Sequence, residues 1–254
     1  MFIGVGLPIP ELANLPGVSR PGKPGGGSST PSVDQIANQY SFKFDRAAGT
    51  YMPTGINIAT DSNFSVSFWV KGNISAAVNP GIFPFSIASS GGNSGGANST
   101  IGRMHLSGGV AKFMIQSRDN TNVSNTFGNR VININIYDGN WYHIVFTRDN
   151  TSGQVFAYVN GVNVQWTGVF SSSSAPSITL NPSGNLHFGS AWDAIQKNFS
   201  SYAWDGWLDE FALFDRVLQE DDIKAIYDAT TAGMTADLST LSTGAPTAWY
   251  RMGD

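Results

Sequence analysis

The chain has 254 residues, of which 41% are hydrophobic and 12% aromatic but only 13% charged, a balance that argues against intrinsic disorder and leaves enough chain for one large domain with a proper core. A formal net charge of −4 excludes the basic footprint of a nucleic-acid binder, and no stretch is long and apolar enough to insert into a membrane. With no cysteine, disulfides and thiolate metal sites are excluded as well, which leans towards a bacterial or viral source rather than a secreted animal domain.

Residues 1–32 form one compositional block. It carries Pro8, Pro10, Pro16, Pro21 and Pro24 and ends in the linker-like run Gly25-Gly26-Gly27-Ser28-Ser29. The apolar start lacks a positively charged leader, and its prolines prevent a helix, so it does not read as a signal peptide. Phe2, Ile3, Val5, Leu7, Ile9, Leu12, Leu15 and Val18 are too apolar for a free tail. Two uses stay open: an edge segment folded back on the chain's own domain, or an anchoring arm that docks on a partner.

Residues 33–254 then read as a β-sandwich domain. Phe64-Ser65-Val66-Ser67-Phe68-Trp69-Val70 alternates with period two, the mark of a half-buried strand. Strands are expected at Lys112–Gln116 and over 141–147. Another runs over 154–159 and turns at Asn160-Gly161 into Val162-Asn163-Val164, because an Asn-Gly pair between β-rich runs supplies the two positive φ angles of a tight hairpin. Further strands are expected at Asn185–Gly189 and Trp207–Phe214, while 88–100 and 170–175 read as Gly/Ser/Asn-rich loops. One helix is predicted after Leu218: acidic residues crowd its first turn, and Ile223, Ile226 and Tyr227 share a face that packs beside the sandwich.

Four segments in order carry a family resemblance. They are Tyr40-Ser41-Phe42-Lys43-Phe44-Asp45 through Tyr51-Met52, an opening strand pair; the 64–71 strand; Asp138-Gly139-Asn140-Trp141-Tyr142-His143 running on to Arg148, with Phe156 to Gly161; and Gly206-Trp207-Leu208-Asp209-Glu210-Phe211 running on to Leu218 and Tyr227. Over about residues 39–229 the chain resembles the laminin-G-like and pentraxin-like branch of the concanavalin-A superfamily. The resemblance implies an all-β fold: a jelly-roll sandwich of two antiparallel sheets, one short C-terminal helix and an extended N-terminal arm. Trp249-Tyr250-Arg251-Met252-Gly253-Asp254 is similar to the strand that usually opens such a domain. Here it stands last, and it is expected to complete the same sheet rather than to serve another subunit.

The resemblance also frames the chemistry. Glucanase relatives use two glutamates flanking an aspartate on a strand. Asp209-Glu210 supplies only one acidic pair, and adjacent strand residues face opposite ways, so no glycosidase dyad is visible and no enzymatic activity is expected. His105, His143 and His187 lack metal spacing, and His143 is expected to be a satisfied core residue. Calcium in rim loops is a family trait, for which Asp119, Asn120, Asn122, Asp149 and Asn150 offer loop oxygens that serve equally as ordinary turn residues. Sugar binding is the other trait. It needs an exposed aromatic ring and polar groups; Trp192, Tyr202 and Trp204 with Asp193 and Asp205 are the candidates, with core packing as the other use of at least two of the three rings.

An apolar arm without cysteine or signal peptide ahead of such a domain is similar to virion proteins of tailed bacteriophages. This second resemblance implies a capsid decoration, head fibre or tail-associated subunit. Such a subunit would assemble in the host cytoplasm, attach through the arm to other virion proteins, form a homo-oligomer (a trimer by expectation), and present its sandwich to host or environmental glycans. The alternative is a stand-alone carbohydrate-binding lectin, possible with or without calcium.

Overall fold

The alternation over 64–70 and the aromatic and β-branched content of 141–147 and 155–159 give these segments no helical stripe; they bury their apolar sides as paired strands. The computed structural model describes residues 7–8, 30–58, 63–73, 84–89, 99–107, 110–118, 127–132, 134–149, 151, 155–164, 184–189 and 204–252. They form two large antiparallel sheets. The first runs β1 (Leu7–Pro8), β3 (Tyr40–Phe44), β14 (Gly206–Phe214), β5 (Phe64–Gly72), β10 (Tyr142–Arg148), β11 (Val155–Val159) and β12 (Val162–Asn163), with β16 (Ala248–Tyr250) also on β14. The second runs β4 (Met52–Ile58), β13 (Gly184–Phe188), β6 (Phe85–Ser89), β7 (Ser99–Ser107), β8 (Val110–Arg118) and β9 (Phe127–Ile132).

Between the sheets lies the main core. Phe68 stacks on Phe211 at 5.7 Å between centroids and meets Phe85 edge-on at 5.2 Å, while Phe188 meets Phe211 at 4.6 Å. Each of these four rings is fully buried, and each contributes on the order of 2 kcal/mol of transfer free energy. A second core covers the opposite face of the first sheet. Helix α1 (Glu220–Ala229) and the two-stranded sheet of β2 (Asp34–Ala37) with β15 (Met234–Asp237) close over Val145, Tyr158, Ala212 and Phe214.

That extra layer changes the expectation for the 64–70 strand, which is not half-buried: every residue from Phe64 to Val70 is buried. The alternation separates two kinds of interior. Phe64, Val66, Phe68 and Val70 enter the apolar main core, whereas Ser65 and Ser67 face the covering layer and are hydrogen-bonded there. Ser65 Oγ donates to the Arg216 carbonyl (2.7 Å) and accepts from the Leu218 amide (2.9 Å), which fixes the chain just before α1. Asp222 secures the helix start: its carboxylate accepts from the Gln219 amide (3.1 Å) and from Thr243 Oγ1 (2.8 Å).

The expected hairpin forms, with Asn160 at φ 51 and Gly161 at φ 77. A Cβ on Gly161 would come within 3.1 Å of the Tyr227 Cβ on α1, a tight contact that adds to the preference for glycine set by the backbone angle. The segments expected as an opening strand pair, by contrast, do not pair: β3 lies in the first sheet and β4 in the second, joined by the Asp45–Thr50 turn. Trp249 and Tyr250 complete the first sheet on β14, as expected from their resemblance to an opening strand. The chain ends of the domain are laced together, with Ser242 N–H donating to the Ser32 carbonyl (3.0 Å) and Asp34 N–H to Thr240 Oγ1 (2.8 Å). Of the arm, Leu7–Pro8 is described, its backbone lying antiparallel to Tyr40–Ser41; Phe2, Ile3, Val5, Ile9, Leu12, Leu15 and Val18 lie outside the described residues.

Candidate carbohydrate-binding site

The sugar candidates divide sharply. Trp192, Asp193 and Tyr202 lie outside the described residues. Trp204 has no exposed surface: it sits in the main core with its ring 5.8 Å from that of Tyr137. It therefore offers no face to a sugar, and core packing is its use. The cause is local. Trp204 immediately precedes β14, and its amide donates to the Gly189 carbonyl (2.7 Å), which draws the ring in between the sheets. Asp205 is committed to a bridge, accepting from Asn73 Nδ2 (2.9 Å) while the Asn73 amide donates to the Asp205 carbonyl (3.0 Å).

Asp209 and Glu210 are buried at the point where β14 changes neighbours. Residues 206–208 pair with β3 and residues 211–213 with β16, so one edge of β14 is shared end to end by two short strands. The junction is a bulge, with the register to β5 shifting between Asp209 and Ala212 and Glu210 at φ 49. Asp209 accepts from Asn38 Nδ2 and from the Glu210 amide, both at 2.9 Å. Glu210 accepts from Trp249 Nε1 (2.6 Å) and pairs with Arg251 (3.4 Å), whose guanidinium also donates to the Ala37 carbonyl. Both carboxylates thus join strands; neither faces an open cleft with a second acid beside it.

His143 is buried on the covered face of the first sheet, with Nε2 2.9 Å from Ser67 Oγ and its ring in a cluster with Trp69 (5.1 Å) and Tyr227 (6.1 Å), which lie 5.9 Å from each other. Burial pushes its pKa down from 6.5 to about 3, so the imidazole is neutral at physiological pH. The expectation of a satisfied core residue needs one correction: Nδ1 has no hydrogen-bond partner among the described residues. His187 is buried on β13 and His105 lies on β7, both in the other sheet.

The described loop carboxylates serve their own turns. Asp45 Oδ1 accepts from the Ala47 amide (2.8 Å) and Asp149 Oδ1 from the Thr151 amide (2.9 Å), while Asp138 accepts from the Asn140 amide (2.9 Å) and Tyr142 Oη (2.6 Å). Those bonds hold the Asp138 carboxyl below its ordinary range against the opposing effect of burial, and burial raises the Tyr142 phenol to about 12. Among the described residues no three His, Asp or Glu side chains converge as a metal site; Asp119, Asn120, Asn122 and Asn150 lie outside them. No calcium cradle is assigned to the described residues.

Tyr40 and Phe156 are the exposed large rings of the described residues, and Trp207 is a half-buried one outside both cores. Trp207 on β14 faces Lys43 on β3 and Lys71 on β5 in register, and the two ammonium groups lie 5.5 and 5.6 Å from its ring centroid. All three side chains are half-buried. Sequence reasoning passed over Trp207 because it lies inside a strand that is otherwise core; the signal available was the lysine at the matching register of each neighbouring strand, visible only once the strand order is known.

This sandwich, its helix and its hairpin coincide with a known domain signature. Residues 45–224 match that of the concanavalin A-like lectin/glucanases superfamily. The chain belongs to this superfamily. As a concanavalin A-like domain it is similar in fold to tailspike protein 2 of the Escherichia coli O157:H7 bacteriophage CAB120 (TM-score 0.54, 11% identity, covering 88% of this chain and 30% of that one). It is also similar to a putative carbohydrate binding protein from Bacteroides ovatus (TM-score 0.50, 12% identity, 88% and 53%) and to a heptameric SAP-like pentraxin from Limulus polyphemus (TM-score 0.48, 16% identity, 83% and 88%). The concanavalin A-like chain thus spans about a third of the tailspike and half of the Bacteroides protein. No protein of the curated set matches it in sequence.

Proposed function

We propose that this chain is a non-catalytic carbohydrate-binding module that serves as an adhesive subunit of a virus particle. The observation that carries the binding role is the half-buried Trp207, flanked in register by Lys43 and Lys71 on a lectin-like sandwich and outside both of its cores. A non-catalytic role is supported by the engagement of Asp209 and Glu210 in strand-joining hydrogen bonds, which leaves neither free to act as acid or nucleophile. The virion role is supported by the apolar, proline-broken arm, which is suited to adding area on a partner surface, and by the fold shared with a phage tailspike. Other virion proteins are the partners in this reading, with a homo-oligomer, a trimer first, as the assembly unit.

A stand-alone lectin is the second reading. It is favoured by the pairing of Leu7–Pro8 with the chain's own β3, which makes part of the arm an edge strand of its own domain. Deleting residues 2–18 separates the two. The virion reading expects a folded, soluble sandwich that no longer cosediments with particles. Undiminished attachment sinks that reading, and a deletion that unfolds the sandwich assigns the arm to its own domain.

A further inference from the structure

We infer that the end of the first sheet left uncovered by α1 takes a carboxylate-bearing polysaccharide, with Trp207 as the stacking platform and Lys43 and Lys71 as the cations that hold the acidic groups. This rests on the carbohydrate-binding reading above and names its ligand class.

The row is built by register. Lys43, Trp207 and Lys71 occupy matching positions on three neighbouring strands, so their side chains leave the same face of the sheet, one strand spacing of about 4.8 Å apart. The position along β14 decides their exposure. Ala212 and Phe214 lie under α1 and the small sheet, and Asp209 is buried and bonded to Asn38, whereas Trp207, towards the opposite end of the strand, is not part of that second core and is half-buried.

Charge then selects the ligand. The chain carries a net charge of −4, yet among the described residues neither Lys43 nor Lys71 has a carboxylate within ion-pair distance, whereas Lys224 pairs with Asp228 and Arg251 with Glu210. The acids that come near in sequence are engaged elsewhere: Asp45 by the Ala47 and Ala48 amides, Asp205 by Asn73, and Asp209 by Asn38 and the Glu210 amide. A site for neutral sugars presents acceptors for hydroxyl protons beside its aromatic ring. This row presents only donors, and cationic ones. The two ammonium groups lie over the indole ring, so a pyranose that stacks its axial C–H groups there takes the place of one of them, and a carboxylate on it or on the next sugar pairs with the displaced ammonium. Two cations on an acidic protein do not suit a densely charged nucleic acid, whose affinity comes from many phosphate contacts.

The test measures binding of the full chain to polygalacturonate, alginate and polysialic acid, with dextran and galactomannan as neutral probes and a single-stranded oligodeoxynucleotide as a polyphosphate probe. Three variants accompany it: Trp207→Ala, Trp207→Phe and the double variant Lys43→Gln/Lys71→Gln, each checked for native near-UV circular dichroism. The expected result is binding to at least one acidic polysaccharide that weakens severalfold as salt rises from low to physiological strength. The double variant and Trp207→Ala should each lose about tenfold or more in affinity, and Trp207→Phe less. Acidic-glycan binding that both variants retain overturns the inference. So does binding of neutral glycans alone, or of the oligodeoxynucleotide as tightly as any glycan. In the neutral case the carbohydrate-binding reading survives; if no glycan binds at all, both fail.

Discussion

Replacing Glu210 by glycine sets two effects of similar size against each other. Glu210 holds φ at 49, a left-handed conformation that costs a side-chain-bearing residue about 1 kcal/mol and that glycine adopts freely. On that ground alone the substitution stabilises the fold. Against it stands the loss of a buried, charge-assisted bond from Trp249 Nε1 at 2.6 Å, a class of interaction that contributes about 1.5–3 kcal/mol. The longer contact to the partly exposed Arg251 adds about 0.5 kcal/mol. The latch outweighs the strain, and Glu210→Gly should destabilise the protein by about 1–2.5 kcal/mol, a fall on the order of 1 M in the urea midpoint. Because only residues 211–213 carry β16, amide exchange should accelerate first at Trp249 and Tyr250. Glu210→Gln, which keeps an acceptor for the indole, should fall between wild type and glycine. Equilibrium urea unfolding followed by tryptophan fluorescence reads the outcome. A midpoint for Glu210→Gly at or above wild type would show that the bulge strain exceeds the latch and would refute the strand-joining role. Glycan binding should be the same in all three proteins, since Glu210 is internal.

Two further outcomes follow from burial. His143 binds a proton in the unfolded chain below about pH 6.5 but in the folded one only near pH 3, so its contribution to stability is full above pH 6.5 and is lost as pH falls towards 3, at up to about 1.4 kcal/mol per pH unit. Urea titrations at pH 7.5, 5.5 and 4.5 should show a steeper acid loss for wild type than for His143→Gln, and equal slopes would mean that the imidazole is already protonated in the fold. Trp204→Ala removes a wholly buried indole and should cost about 3–5 kcal/mol in thermal or urea unfolding; a stable variant with lost sugar binding would return Trp204 to the sugar site.

The fold was legible wherever local chemistry was decisive. The Asn160-Gly161 pair, the acidic first turn before Ile223 and the apolar period of 64–70 each fix a local conformation through forces acting within a few residues. What the period could not tell is what covers the other side of a strand. Ser65 and Ser67 look like solvent-facing positions, and only the return of the chain at 215–240 buries them, with hydrogen bonds that make small polar residues the fitting choice. Trp204 and Trp207, three residues apart in the same Trp- and Asp-containing stretch, show the same limit. The first turns into the main core and the second onto the opposite face, because strand alternation starting at Gly206 separates them. Sequence alone determined the strands around 64–70, 112–116, 141–147, 155–159, 185–189 and 207–214, the hairpin, the helix and the absence of cysteine chemistry, since these depend on residue type and spacing. By contrast, β2, β6, β7, β9 and β15 were not legible, and the loop expected over 88–100 gives way to strand at Ser89 and Ser99. The tertiary structure decided which acids act as strand ties and which tryptophan stands between two lysines, because those outcomes depend on strand order, which brings residues 43, 71 and 207 into one row.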